Sequence, residues 1–283
     1  MTSATPIISS IAALADTSEA WIVDIWGVMH NGAHAHAAAG EACKRFRARG
    51  GTVVLLSNAP RPFPAVIPHM TSLGVDPDAY DTGVTSGDAT REMVAAWQRR
   101  PLFHIGPERD RGLFDGYDVH FAPPETAEVV ICSGLYDDSK ETPADYAALF
   151  EGLLARRVPM ICANPDIMVE RGEELLYCAG ALAADYEAKG GTVTYAGKPH
   201  GPIYDRTLRE IARLKGRPVA REKVLCIGDG VETDLKGAHN AGFRSVFIAS
   251  PIFLPDGLSA PALTKLFADR PFVPVAALPT LAW

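Results

Sequence analysis

The stretch VDIWGV at residues 23–28 places an acidic side chain, Asp24, within an otherwise apolar run. The run begins at Trp21, and its aromatic and β-branched residues predict a buried strand over residues 21–25. A carboxylate at the end of a buried strand can act as a nucleophile toward phosphorus. On its own such an aspartate more often caps a turn, so its role depends on the motifs that follow it.

Three further polar motifs follow Asp24 in the chain. Ser57 closes the apolar run of residues 52–56, and Lys198 lies in a Gly-Lys-Pro sequence. Asp229 and Asp234 come shortly after another apolar run. A carboxylate, a hydroxyl, an amine and two further acids suit Mg²⁺-assisted phosphoryl transfer, because that chemistry depends on positioning and charge neutralisation.

Short β-rich runs alternate with longer helical patterns, which is typical of a parallel α/β sheet. Ligands bind such sheets beyond the carboxyl ends of the strands. Asp24, Ser57 and Asp229 each lie at or just after such an end, so we expect them in one site. A second α/β alternation occupies residues 84–192. Within it, helices are predicted over residues 87–99, 142–155 and 173–188.

This ordered set of motifs resembles the haloacid dehalogenase (HAD) superfamily, and most closely its class IIA branch of sugar-phosphatase and nitrophenyl-phosphatase-like proteins. Further phrases typical of that branch are TSGDAT at residues 85–90, ANPD at 163–166 and GKPHGP at 197–202. The resemblance implies a Rossmann-like parallel-sheet core formed by residues 1–83 and 193–283. It also implies an α/β cap domain, inserted over residues 84–192.

The resemblance also implies roles for the phosphate-binding residues. Asp24 is the nucleophile and forms an aspartyl-phosphate that water later hydrolyses. Ser57 donates a hydrogen bond to a phosphoryl oxygen, with the backbone amides of Asn58 and Ala59 nearby. Lys198 neutralises the charge of the nucleophile and of the phosphoryl group.

The same resemblance implies a Mg²⁺ site. Its protein ligands are the carboxylates of Asp24 and Asp229 and the backbone carbonyl of Trp26, in keeping with the preference of Mg²⁺ for oxygen. Asp234 holds a metal-bound water or Lys198. In the cap, Asn164 and Asp166 lie on a loop that faces the substrate in the family, although an ordinary turn is the common role of such residues.

Trp26 departs from the family pattern. The residue two positions after the nucleophile is usually an aspartate that protonates the leaving group and then activates water. Indole cannot do this, and loss of a general acid–base typically costs ~10²–10⁴ in rate. The substrate then has a leaving group that needs little protonation, another side chain replaces the acid, or the protein binds a phosphorylated ligand without turnover. His30 is a candidate replacement, but a hydrogen-bonded loop histidine is the more common role.

The composition argues against several classes of function. The formal net charge is −7 and no basic stripe with interleaved aromatic residues occurs, so we expect no nucleic-acid partner. No apolar run approaches the ~20 residues needed to span a bilayer, so we expect no membrane partner. The five cysteines are scattered without a CxxC spacing, which favours reduced thiols in a soluble, cytoplasmic protein.

The sequence therefore predicts a Mg²⁺-dependent phosphatase that hydrolyses a phosphate monoester of a small phosphorylated metabolite, with sugar phosphates among the candidates. The alternative is a catalytically weak protein that binds or senses such a metabolite, because Trp26 replaces the usual acid. Dehalogenase chemistry is disfavoured, since Lys198, Asp229 and Asp234 complete a Mg²⁺–phosphate site. The resemblance also allows a homodimer, although no residue pattern identifies its interface.

Overall fold

The computed structural model describes residues 5–171 and 174–283. The strands, in chain order, are β1 (Ala20–Asp24), β2 (Thr52–Ser57), β3 (Thr82–Thr85), β4 (Pro101–Ile105), β5 (His120–Phe121), β6 (Val129–Cys132), β7 (Met160–Cys162), β8 (Met168–Arg171), β9 (Glu174–Tyr177), β10 (Val193–Tyr195), β11 (Val224–Gly228), β12 (Arg244–Ile248) and β13 (Ala276–Leu278). The α-helices are α1 (Ala12–Ala15), α2 (Ala37–Ala48), α3 (Phe63–Ser72), α4 (Ser86–Ala95), α5 (Ala147–Ala155), α6 (Ala179–Ala188), α7 (Gly201–Lys215), α8 (Lys236–Asn240) and α9 (Ala260–Phe267).

The chain divides into two compact units. The first contains the residues up to Ser57 together with Ile67–Val84 and Lys198–Trp283. The second contains Asn58–Val66 and Thr85–Gly197. The divisions after Val84 and Gly197 lie within a few residues of the boundaries predicted for the cap, and the short segment Asn58–Val66 also belongs to the second unit.

The first unit contains a six-stranded sheet with the order β13-β12-β11-β1-β2-β3. Strand β1 pairs in parallel with β2 and β11, and the parallel pairing continues from β11 to β12 and β13. All residues of β1 and β11 are buried, as expected for strands that are covered on both faces. This arrangement confirms the predicted parallel α/β fold.

Helix α7 begins where Pro202 stands in its first turn and ends before Gly216, which adopts a left-handed conformation with φ of 68°. The sequence predicts one apolar face on this helix, formed by Ile203, Leu208, Ile211 and Leu214. Ile203 and Ile211 are buried. Leu214, predicted on the same face, is exposed. Tyr204 and Thr207 are buried instead, so the packed face of the helix is rotated from the one that the aliphatic residues indicate.

The second unit has its own five-stranded parallel sheet with the order β10-β7-β6-β4-β5. Its two faces are covered by separate apolar clusters, one of which includes Phe150 and Tyr186 and the other Leu102 and Ile131. The order corresponds to a doubly wound sheet: β5 is added on one side of β4, and the later strands β6, β7 and β10 are added on the other side. The unit is therefore a second α/β fold, built on its own core.

One predicted helix in the second unit was wrong at its start. The prediction covered residues 173–188, but α6 begins only at Ala179, and Glu173 lies outside the described residues. Strands β8 and β9 pair in antiparallel orientation there, and Leu175 of β9 is exposed. The apolar residues just before Ala179 thus belong to a strand rather than to the helix. Their pattern suits either structure.

All five cysteines are buried and none forms a disulfide, in keeping with reduced thiols in the core. Across the parts of the chain that the structure describes, no helix has the length and apolar character required to cross a membrane.

Candidate active site

The carboxyl ends of three neighbouring strands bring the predicted residues to one edge of the first unit's sheet. Asp24 is the last residue of β1 and lies opposite Leu56 of β2, so Ser57 is one position further along. Val23 lies opposite Ile227 of β11, and Asp229 follows the end of that strand. The register alone therefore places Asp24, Ser57 and Asp229 side by side.

Lys198 makes two ion pairs at this edge. Its Nζ lies 2.5 Å from Oδ1 of Asp24 and 2.6 Å from Oδ1 of Asp234. All three side chains are buried, with only 4–8% of each side chain exposed. The predicted amine is thus held between the predicted nucleophile and the second acid of the 229–234 motif.

Asp229 packs against the backbone of the turn that follows β1. Gly27 has φ of 89°, and a Cβ atom built on it would lie 2.3 Å from Oδ2 of Asp229. A side chain at position 27 is therefore excluded both by the left-handed backbone and by the carboxylate. This glycine was not among the predicted site residues, although its place directly after Trp26 is visible in the sequence.

Asp234 is oriented by its own chain segment. Residues Val231–Leu235 form a single turn of π-helix, a rare local geometry that is often found at functional sites. The backbone N–H of Gly230 donates to Oδ2 of Asp234 at 3.1 Å, while Oδ1 accepts from Lys198. Both carboxylate oxygens are thereby fixed.

The site has an excess of negative charge. One carboxylate oxygen from each of Asp24, Asp229 and Asp234 lies within 4.8 Å of the others, and Lys198 supplies one positive charge against these three acids. Burial and the neighbouring Asp234 raise the pKa of Asp24 well above its usual value, and the same two causes raise the pKa of Asp229 to about 7. Burial by itself would lower the pKa of Lys198, but the two paired carboxylates raise it above the ordinary value.

This charge excess fits a divalent cation. The single positive charge of Lys198 does not compensate three buried carboxylates, so their pKa values stay raised, and a cation would lower them. Oxygen donors are also the ligands that Mg²⁺ prefers. Among the described residues, the only cluster of at least three His, Cys, Asp or Glu side chains close enough to share a metal ion is Asp24, Asp229 and Asp234.

Trp26 lies in a tight turn directly above the end of β1. The N–H of Gly27 donates to the carbonyl of His30 at 2.7 Å, and the N–H groups of Met29 and His30 both donate to the carbonyl of Ile25. The carbonyl of Trp26 accepts none of these three hydrogen bonds. The indole is half-buried, and its Nε1 lies close to the backbone of Gly32.

The structure gives His30 the surroundings of a loop histidine. Its side chain is buried, and its Nδ1 accepts a hydrogen bond from the N–H of Gly32 at 3.1 Å. Burial, with smaller contributions from His69 and His36, lowers its pKa to about 4. The ring is therefore neutral near pH 7, and a role as a replacement acid stays a prediction that these features do not favour.

The other predicted residues, Asn58, Asn164 and Asp166, belong to the second unit. Asn58 is buried and donates from Nδ2 to Oδ1 of Asp166 at 2.8 Å. The backbone N–H of Asp166 donates in turn to Oδ1 of Asn164 at 3.1 Å, which is an ordinary Asx turn. The three side chains form one polar cluster, and their predicted role in substrate selection stays a prediction.

Two family models match the chain. A model described as haloacid dehalogenase-like hydrolase matches residues 21–120, and one described as HAD-hydrolase-like matches residues 195–270. A crystal structure of a haloacid dehalogenase-like family hydrolase from Brucella suis is 43% identical, with a TM-score of 0.84, and the match covers 98% of this chain and 100% of that one. The chain belongs to the haloacid dehalogenase-like hydrolase family. The predicted family, fold class and assignment to the hydrolases are thereby confirmed.

More distant HAD proteins share the fold. The 4-nitrophenylphosphatase of Thermotoga maritima is 22% identical with a TM-score of 0.70, over 94% of this chain and 96% of that one. NagD from Escherichia coli is 22% identical with a TM-score of 0.69, over 94% and 97%. A bovine haloacid dehalogenase-like hydrolase domain-containing protein 2 is 25% identical over 232 residues, which is 81% of this chain and 83% of that one.

Proposed function

We propose that this HAD-family hydrolase is a Mg²⁺-dependent phosphatase that cleaves phosphate monoesters of a small metabolite through a covalent intermediate on Asp24. The observation that carries this proposal is the position of Lys198 between Asp24 and Asp234, with Asp229 beside them. A nucleophilic carboxylate held by a buried ammonium group is suited to attack on a phosphoryl group, whose negative charge the same ammonium group neutralises.

The reaction proceeds in two displacements. A carboxylate oxygen of Asp24 forms a bond to phosphorus while the bond between phosphorus and the leaving-group oxygen breaks. The leaving group departs with the bonding electrons and takes a proton from solvent. Water then attacks the phosphorus of the aspartyl-phosphate, loses a proton to solvent, and restores Asp24 with release of inorganic phosphate.

The side chains around Asp24 position the phosphoryl group. Lys198 neutralises its charge, and Ser57, at the adjacent strand end, donates a hydroxyl hydrogen bond. Asp24, Asp229 and the carbonyl of Trp26 would hold Mg²⁺, and Asp234 keeps Lys198 in place. When bound, Mg²⁺ supplies further charge stabilisation for the phosphoryl oxygens.

The leaving group sets the substrate class. Because Trp26 provides no acid, substrates whose leaving groups are weak bases, such as aryl and acyl phosphates, should react fastest. Sugar phosphates, whose leaving groups are more basic, remain candidates at lower rates. The buried, unpaired cysteines fit a cytoplasmic enzyme that meets such metabolites inside the cell.

Trp26 also supports a second candidate function. Without an acid two positions after the nucleophile, the same residues could bind a phosphorylated metabolite tightly and turn it over very slowly. The protein would then act as a sensor, and the charge arrangement around Lys198 would serve binding alone.

A panel of phosphate esters distinguishes the two functions. Purified protein is assayed with acetyl phosphate, an aryl phosphate and sugar phosphates, with and without Mg²⁺, beside the matched Asp24→Asn variant. The phosphatase proposal predicts Mg²⁺-dependent release of phosphate that Asp24→Asn lacks. Absence of turnover on every ester, together with thermal stabilisation by one of them, would support the sensor.

A further inference from the structure

A buried hydroxyl group lies in the first unit, on the helix that follows Lys198. Tyr204, in the first turn of α7, is 2% exposed, and its hydroxyl has no hydrogen-bond partner among the described residues. Burial of an unpaired hydroxyl is unfavourable, so stability alone would favour phenylalanine here. The presence of tyrosine therefore calls for another explanation.

The hydroxyl group is wedged against α8. A Cβ atom built on Gly237 would lie 2.1 Å from the Tyr204 oxygen and 2.7 Å from the ring atoms Cε2 and Cζ. No side chain fits at position 237 while the ring keeps its place. The tyrosine oxygen thus lies against the backbone of α8.

Each of these two elements follows directly from a charged residue of the site. Lys198 lies just before α7, and Asp234 lies one helical turn before Gly237. A second contact joins the same segments, because Nδ2 of Asn240 donates to the carbonyl of Pro199 at 3.4 Å. Two contacts thus join the segment that follows Lys198 to the segment that follows Asp234.

The electrostatic surroundings of the hydroxyl agree with this position. Burial is the main reason why the pKa of Tyr204 is raised, and Cys226, Asp234 and Asp24 raise it further. These groups lie on β11, on the π-helical turn and at the end of β1. The hydroxyl group is thus near enough to the two carboxylates that pair with Lys198 for their charges to act on it.

We propose that Tyr204 is a positioning residue, whose hydroxyl contact with Gly237 fixes the distance between α7 and α8 and so keeps Lys198 in contact with both Asp24 and Asp234. Its effect on turnover rests on the proposed phosphatase function, whereas its effect on the Lys198–Asp234 distance does not. Tyr204 touches no substrate and acts only through Lys198 and Asp234.

The contact is tested by changing its two sides separately and together. Gly237→Ala should push α7 away and lower kcat on an aryl phosphate by roughly 10- to 100-fold, with a smaller change in KM, because misplacement of about 1 Å at a catalytic group costs that much. Tyr204→Phe combined with Gly237→Ala removes the closest clash and should recover part of the loss. Gly201→Ala, at a glycine with open space around its Cβ position, is the matched control and should leave kcat unchanged.

A crystal structure of Gly237→Ala provides the readout that does not depend on turnover. The distance from Lys198 Nζ to Asp234 Oδ1 should be longer than the present 2.6 Å. An unchanged distance, or a double variant with no more activity than Gly237→Ala, would overturn the proposal. If the unmodified protein shows no turnover, the proposed phosphatase function is overturned. The distance from Lys198 Nζ to Asp234 Oδ1 would still decide the role of Tyr204.

The single variant Tyr204→Phe decides the case if Gly237→Ala does not fold. A positioning role predicts a fall in kcat while the unfolding midpoint stays constant or rises, since an unpaired hydroxyl is removed. A purely structural tyrosine predicts unchanged kcat. The second result would overturn the proposal.

Discussion

Two parallel sheets in this protein carry polar residues near the carboxyl ends of their strands, and the two sets differ in the number of acidic groups that they hold. In the first unit, Asp24, Asp229 and Asp234 surround a single ammonium group, that of Lys198. Burial and the neighbouring Asp234 raise the pKa values of Asp24 and Asp229, which supports the proposed Mg²⁺ site.

In the second unit, the polar side chains near the strand ends hydrogen-bond to one another. Nε2 of His104 and the Ser133 hydroxyl are 2.9 Å apart, and a hydrogen bond between Ser133 and Asp110 extends the chain. All three side chains are buried at the point where β4 and β6 end. Gly106 makes room for them, since a Cβ atom there would lie 2.0 Å from the serine oxygen. These three side chains hydrogen-bond to one another and include one acid, whereas the first unit brings three acids together. Strand ends therefore give position in both sheets, and the cluster of acids distinguishes the proposed catalytic site.

The largest effect is expected from loss of the nucleophile. Asp24→Asn should reduce phosphate release by roughly 10³-fold or more, since no covalent intermediate can form. Asp110→Asn is a matched change in the second unit, where Asp110, Ser133 and His104 are hydrogen-bonded. It should leave kcat per folded molecule near the unmodified value. Steady-state assays on an aryl phosphate measure both, and equal losses in the two variants would end the distinction between the sheets.

A gain of activity is expected when the missing acid is supplied. Trp26→Asp should raise hydrolysis of alkyl phosphates by up to ~10²–10⁴, the usual contribution of a general acid. Trp26→Phe is the control, because it removes the indole without adding a carboxyl group. A folded Trp26→Asp variant that binds Mg²⁺ yet gains nothing on alkyl phosphates would favour the sensor function.

The pH dependence of the first site should reveal its charge excess. The pKa of Asp229 is raised from 3.8 to about 7, so the metal-free folded state binds a proton that the unfolded state has released. Stability of the metal-free protein should therefore fall as pH rises between these values, while Mg²⁺ affinity should increase, since the cation competes with the proton. Denaturant titrations and calorimetry across this range test both trends, and Asp229→Asn should flatten both.

The smallest effect is expected from a change among His104, Ser133 and Asp110 of the second unit. Ser133→Ala leaves His104 and Asp110 without a shared partner, which should lower the free energy of unfolding by about 1–3 kcal/mol. Mg²⁺ affinity should not change. A weaker Mg²⁺ affinity in this variant, measured by calorimetry on fully folded protein, would mean that the two sets are coupled.

Much of the fold and of the candidate site could be predicted from the sequence, because the strongest sequence signals are local. Continuous apolar runs ending in Asp24 and before Asp229 predict buried parallel strands, and parallel strands necessarily bring those ends to one edge. The order of the motifs then identifies the chemistry. These inferences need no knowledge of how distant segments pack.

The remainder depends on packing that no local pattern encodes. Gly27 is visible as a glycine, but only the fold places Asp229 against it. Tyr204 lies beside the predicted aliphatic face of α7, and its contact with Gly237 arises from the approach of two helices. The start of α6 was misplaced because the apolar residues ahead of Ala179 suit a strand as well as a helix.

In the proposed mechanism, Asp24 accepts the phosphoryl group without help from an acid at position 26. The most direct test is the dependence of kcat on leaving-group pKa across a series of aryl and alkyl phosphates with saturating Mg²⁺. The rate should fall steeply as the leaving group becomes more basic, because the departing oxygen receives no proton from the protein. A flat dependence in the unmodified protein would contradict the account, since it would require another acid in the site.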